Sequence, residues 1–304
     1  MAGPSLADLT AGTRQTIGRY FSVVSVAPSL LFVIYTFVLV RSGAWNHHPN
    51  WSGAVGALEH IGIGGGIVLI VLAVGLGIGV HPLQFGLVQF MEGYWGANAI
   101  ARKARDIRIA RHRQRFISLR NKDADGDQEA GRLLTLYPKE SSLVMPTRLG
   151  NVLRRYEVLA GRQYELNLLT VLPHIALVAQ PEDVRYLDDQ RAQLDLAIRM
   201  HLMGLLAAAL SIAVLVRDGP WLVISMIPAI IAYVSYRGSI ITAREYGIAM
   251  TTLIDLNRFA FYERFHLPMP SNITEERATN QRLMQLLEAN STHSRIRYKH
   301  PSTP

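Results

Sequence analysis

Three clusters of residues in this 304-residue chain could do chemistry on type and spacing alone. His47, His48 and His60, with Glu59 beside them, could offer imidazole and carboxylate ligands to a metal ion. An adjacent histidine pair aims its two rings apart, so a polar loop is the plain reading. Asp123, Asp125 and Asp127 copy the start of a calcium loop. Such a loop needs glycine at its sixth position and glutamate at its twelfth. Here those positions are Gln128 and Leu134, and an acidic turn explains the triplet better. Asn151, Arg154, Arg155 and Tyr156 could form a phosphate-binding face, with a solvated helix surface as the simpler alternative. No cysteine is present, which excludes disulfides, thiolate metal sites and cysteine nucleophiles. G-x-S-x-G, HExxH, a P-loop and a GxGxxG after a strand are all absent. The residues therefore predict no catalytic group, no cofactor and no metal.

The densest charge lies elsewhere. Arg102, Lys103, Arg105, Arg108, Arg111, Arg113, Arg115, Arg120 and Lys122 stand against one acid, Asp106, and match the whole net charge of +8. The first seven are the predicted contacts for anionic lipid, at ~1 kcal/mol per charge near a membrane surface. Nucleic acid is the weaker rival, because the run adjoins a membrane span and Phe116 is its one base-stacking aromatic of the Phe, Trp or Tyr type. Just upstream, Leu83, Leu87, Phe90, Met91 and Tyr94 recur at helical spacing with Trp95 beside them. That is an amphipathic face suited to the headgroup boundary. A solvated flank that binds nothing specific is the bland alternative.

The elements that must hold this segment are apolar. Residues 21–40 and 61–80 carry no charge and reach the ~20 residues that a span needs. The first exceeds the ~7–15 residues of a signal-peptide core and is expected to be retained. Gly62 and Gly66, and Gly75 and Gly79, are each four apart. Each pair lines a helix face that admits a close neighbour, for packing against the first span or for self-association. Residues 197–216 make a third span only with Arg199 snorkelling at its inner end. Residues 221–236 make the fourth, opened by the interfacial Trp221. The loop 42–60 has no Lys or Arg, whereas Arg14 and Arg19, the basic run and the C-terminal tail are rich in them. Both termini and the insert are therefore expected inside.

Proline at 181 followed by Glu182 and Asp183 opens a helix with nothing to break it before Gly219-Pro220. The next helix is expected to run to about Phe265. Val184, Leu187, Leu194 and Ile198 on one helix, and Ile241, Ile248, Leu256 and Phe259 on the other, form the predicted seam of a coiled stalk. A turn at Asp218–Gly219 sets Arg191 opposite Glu245, a predicted ion pair. Pro146 and Thr147 should open another helix, to about Ala160. Residues 166–179 are apolar but carry Pro173 and His174. Strand, buried segment and shallow re-entrant piece all remain open for them.

Four patches carry a resemblance: HPLQFGLVQFMEGYWG (81–96), PTRLGNVLRRYE (146–157), LTVLPHIALVAQPEDV (169–184) and EYGIAMTTLIDLNRFAFYERFHLPMP (245–270). They resemble a family of bacterial, mainly actinobacterial, four-span membrane proteins to which no activity is assigned. The resemblance covers most of the chain after residue 80. It implies an origin and an architecture, and no catalytic residue.

The expectation is an all-α integral membrane protein with four transmembrane helices as two hairpins. A helical cytoplasmic insert and long cytoplasmic extensions of the second hairpin complete it. The boundaries are a tail (1–20), a first hairpin (21–81), a basic domain (82–180), a helical hairpin (181–265) and a C-terminal tail (266–304). The expected role is a non-enzymatic scaffold in the bacterial inner membrane. Its partners are the lipid bilayer, a second copy of itself and a cytoplasmic protein. A homo-oligomeric channel is the runner-up. A lipid-modifying enzyme would need a cytoplasmic pocket that gathers ionisable groups.

Overall fold

The computed structural model describes residues 26–45, 48–288 and 298–299. Helix is the regular structure among them: α1 (Ala27–Arg41), α2 (Trp51–Glu59), α3 (Gly62–Val80), α4 (Gln84–Glu92), α5 (Ala99–Ala124) and α6 (Gln128–Leu134) come first. α7 (Arg148–Leu159), α8 (Leu168–Val178), α9 (Pro181–Leu215), α10 (Met226–Arg264) and α11 (Ile273–Leu287) follow. Three helical runs are long and apolar enough to cross a bilayer: Gly62–Glu92, Pro181–Leu215 and Gly219–Arg264. That is the make-up of a membrane protein. The described part of the predicted first span is α1, with 15 residues. Residues 21–25 of the predicted first span, and the predicted tail at 1–20, lie outside the described residues.

The expected helix starts at Pro181 and Thr147 are present, and two further caps appear beside them. α9 starts on Pro181 with Glu182 and Asp183 in its first turn, where the helix dipole favours acids. Thr147 caps α7 by accepting the Gly150 N–H at 2.9 Å, and Asp127 caps α6 through the Glu129 and Ala130 N–H groups. Asp127 is therefore the cap of α6. The loop predicted at 42–60 contains α2, whose cap Asn50 accepts the Gly53 N–H at 2.9 Å.

The chain divides into two compact units. The first holds the described residues up to Val88 together with Ala192–Ile241. In it α1 packs on α3, and Ala73 and Gly77 are the buried positions of α3. Gly204 lets α9 and α10 close up, since a Cβ there would lie 2.9 Å from the Ala232 nitrogen and 3.0 Å from the Pro228 carbonyl. The His201 ring bonds the Ala232 carbonyl at 2.8 Å beside that contact. The Trp51 and Trp221 rings meet at 5.9 Å, and Leu39, Val214 and Leu215 form a small apolar cluster with Trp51 partly buried against it.

The second unit holds Gln89–Arg191 and the described residues from Thr242 onward. Its core is built from Leu168, Val171, Ile175, Leu187, Ile254, Phe261 and Leu283 among others. Residues 166–179 thus resolve as a helix, α8, with Val171 and Ile175 fully buried. Residues expected as a C-terminal tail form α11, whose Asn280 bonds the Tyr262 hydroxyl at 2.6 Å and the Tyr164 carbonyl at 2.8 Å. Glu276 of α11 meets Arg258 at 3.0 Å. The predicted α10 seam fails in part. Ile241 and Leu256 are 64% and 65% exposed, while Ala243, Ala249, Leu253 and Ile254 are buried. Small residues decide this face, because Gly247 admits the Tyr156 ring. Arg191 and Glu245 both stand exposed, and no ion pair joins them. A solvated pair is worth only ~0–1 kcal/mol, too little to hold two long side chains together.

Candidate functional site

α5 is the most strongly charged surface. Asn98 caps it by accepting the Ala101 N–H at 2.7 Å, and Phe116 and Leu119 anchor it on Tyr137 and Val144. The remaining turns point outward. Arg102, Lys103, Arg108, Arg111, Arg113 and Arg115 are exposed, and Arg105 is half-buried. Arg113 donates to the Ser141 and Ser142 carbonyls at 3.0 and 3.3 Å, and Arg105 lies 3.8 Å from Asp106. Arg102, Lys103, Arg108, Arg111 and Arg115 join none of the ion pairs found among the described residues. Arg102 and Lys103 also sit in the first turns, where basic charge opposes the helix dipole by ~0.3–1 kcal/mol each. An anion bound along α5 would relieve that.

The electrostatic field there is strong enough to act on a neighbour. The His112 Nδ1 lies 3.0 Å from the Tyr137 hydroxyl. Burial holds the imidazole pKa below its ordinary value, and the guanidinium groups of Arg148, Arg115 and Arg108 push it the same way.

The arginines that could have formed a phosphate face are instead committed internally. Arg154 pairs with Glu157 at 2.9 Å and donates to the Tyr94 hydroxyl at 2.9 Å. Arg155 donates to the Tyr137 carbonyl at 3.0 Å. Asn151 is buried and exchanges hydrogen bonds with the Met145 backbone, 2.9 Å each way. Tyr156 is packed on Gly247. The four residues are a structural joint.

The glycine positions separate as well. At 100° per residue, Gly62 and Gly66 share the side of α3 that carries the buried Ala73 and Gly77. Gly75 and Gly79 fall on the opposite side, and a Cβ at either would meet nothing within 4 Å. The same is true of Gly62 and Gly66 themselves, so none of the four forms a close helix contact among the described residues.

The first unit contains a polar cluster that the sequence did not single out. Arg199, expected to snorkel, is 1% exposed. Its Nε donates to the Gln84 Oε1 at 2.6 Å, and its Nη2 lies 3.2 Å from the His81 Nδ1. Gln84 in turn donates through Nε2 to the Asp195 Oδ1 at 3.0 Å, and Asp195 is also buried. With arginine as the donor, the His81 Nδ1 accepts and its proton sits on Nε2. The amide of Gln84 thus bridges a cation and a carboxylate and ties the start of α4 to α9. The only sequence signal was the i, i+4 spacing of Asp195 and Arg199 on the stripe of Leu194 and Ile198.

His48 and His60, the described histidines of the 42–60 segment, take separate partners. The His48 ring meets Asp218 at 3.0 Å, His60 bonds the Gly56 carbonyl at 2.8 Å, and His47 lies outside the described residues. Among the described residues, no group of three or more His, Cys, Asp or Glu side chains could hold a metal ion. Comparison of the chain with family models, curated proteins and solved structures finds no match.

Proposed function

We propose that this protein is a non-enzymatic, multi-pass scaffold of the bacterial inner membrane, belonging to the family its sequence patches resemble. It has four spans in two hairpins, with both termini and the basic unit on the cytoplasmic side. Its basic helix α5 lies against anionic lipid and presents the second unit to a cytoplasmic protein partner. What supports the reading is the row of exposed cations on α5 that no carboxylate neutralises. Arg108, Arg111 and Arg115 share one side of α5, and each lowers the free energy of contact with an anionic surface by ~1 kcal/mol without any catalytic machinery. The Lys/Arg-free outer loop supports the sidedness.

Native mass spectrometry of the detergent-solubilised chain tests this. Phosphatidylglycerol should be retained in preference to phosphatidylcholine. Replacing Arg102, Lys103, Arg108 and Arg111 together by Gln should lower that preference at least tenfold. Equal retention of the two lipids by the unmodified chain would refute the proposal.

A second reading, self-assembly into a channel, draws on one observation: the side of α3 that carries Gly75 and Gly79 is open. Mass measurement in detergent decides it. A discrete tetramer to heptamer that Gly75→Leu dissociates and Gly66→Leu does not would establish the assembly. A monomer would remove it.

A further inference from the structure

A groove of about 600 Å³ runs between α5 and α6. Arg111, Arg115 and Lys122 form one wall of it, at helical spacing along one face of α5. Asp127 and Glu129 form the other. Opposite charges that share a groove ordinarily close on one another, yet no ion pair within 4.0 Å joins these walls. Asp127 is spent on the start of α6, where its Oδ1 accepts the Glu129 and Ala130 N–H groups at 2.9 and 3.1 Å. Glu129 is the carboxylate left to face a ligand. A surface selected only for anionic lipid would carry no acid there, because it repels the headgroup.

The arrangement has a chemical complement. Two guanidinium groups and an ammonium suit a phosphate, which takes bidentate hydrogen bonds from arginine and a point charge from lysine. A carboxylate across the gap suits an amine. We propose that this groove binds an aminoalkyl phosphate, with the phosphate on Arg111, Arg115 and Lys122 and the ammonium on Glu129. The ligand is a phosphoethanolamine group, either free or as the headgroup of a phospholipid. The groove rests on the reading proposed above in sharing α5 with the lipid-facing surface, but its selectivity rests on Glu129, which supplies no attraction to an anionic bilayer.

Calorimetry on the full chain in a neutral detergent tests the site, with O-phosphoethanolamine and inorganic phosphate as probes. Phosphoethanolamine should bind about fivefold more tightly than phosphate. Glu129→Gln should bring the two to parity, and Arg115→Gln or Lys122→Gln should weaken both by about tenfold, as the loss of one charge-assisted hydrogen bond would. All three positions are polar and lie at the groove's open walls, and an unchanged helical circular-dichroism spectrum certifies each variant. In nanodiscs, displacement of the free probe by phosphatidylethanolamine identifies a lipid-borne ligand. Persistence of probe binding there identifies a soluble one. Equal affinities for the two probes in both the unmodified chain and Glu129→Gln would overturn the proposal, as would no binding of either by the folded chain. Retention of phosphatidylglycerol that Glu129→Gln leaves intact would keep the lipid-surface reading standing in either case.

Discussion

Arg199→Met is expected to destabilise the protein by about 1–3 kcal/mol, because it removes the buried guanidinium that donates to the Gln84 amide. The substitution is close to isosteric along the aliphatic stem, so little of the loss comes from packing. Gln84 would lose the donor at its Oε1 and keep only its own bond to Asp195. Asp195→Leu together with Arg199→Met removes both charged groups that the Gln84 amide bridges, and apolar replacement of a buried charged network is often neutral or stabilising by ~1–4 kcal/mol. The double variant should therefore recover most of the loss. The readout is the apparent melting temperature in detergent, followed by retention of the monodisperse peak. A single variant that melts with the unmodified chain would show that Arg199 is not held in the buried network.

Gly247→Ala is the second large effect. A Cβ on residue 247 would lie 2.2 Å from the Tyr156 Cγ and 2.3 Å from its Cδ2. These are the rigid root of a ring, not the far end of a flexible chain, so α7 or α10 must shift. Overpacking of this kind costs about 1–3 kcal/mol or more. Across a chain of this size that lowers the apparent melting temperature by several degrees, at roughly 2–4 °C per kcal/mol. Adding Tyr156→Ala should recover part of the loss, since it removes the ring that the new methyl strikes. Gly66→Ala serves as the control, as nothing lies within 4 Å of that position. Equal effects at 247 and 66 would rule out the close approach of Tyr156.

The two substitutions also mark where the sequence was readable and where it was not. The span of α9 followed from local chemistry, a proline with acids at its start and Gly219-Pro220 beyond its end, and it emerges as 35 unbroken residues. The start of α7 at Thr147 is equally local, whereas the capping role of Asp127 emerges only in the structure, since the triplet reads as an acidic turn. The conformation of residues 166–179 depended on what covers them, because 14 apolar residues suit a strand or a buried helix alike. Contact with the cluster around Phe261 and Leu283 decides for α8. The α10 face was misjudged because large apolar residues were weighed above small ones. Gly247 admits the Tyr156 ring on the side that it shares with Ala243, and at 100° per residue Leu256 falls on the opposite side. The polar cluster was unreadable for a different reason: Gln84 and Arg199 stand 115 positions apart, and nothing local links them. α11 hid likewise, since Glu276 and Asn280 read as surface residues until Arg258 and Tyr262 enclose them.

The central claim is that α5 rests on an anionic membrane surface. The chain contains no cysteine, so a single Gln114→Cys on the exposed side of α5 can carry one spin label without any further change. Power-saturation accessibility to oxygen and to a water-soluble nickel complex then reports its depth in nanodiscs. In discs with phosphatidylglycerol the label should show interfacial values, with raised oxygen and reduced nickel accessibility. It should move toward water in phosphatidylcholine discs or when salt rises to 1 M, where the screening length shrinks to about 3 Å. Fully aqueous values in anionic discs at low salt would contradict the account.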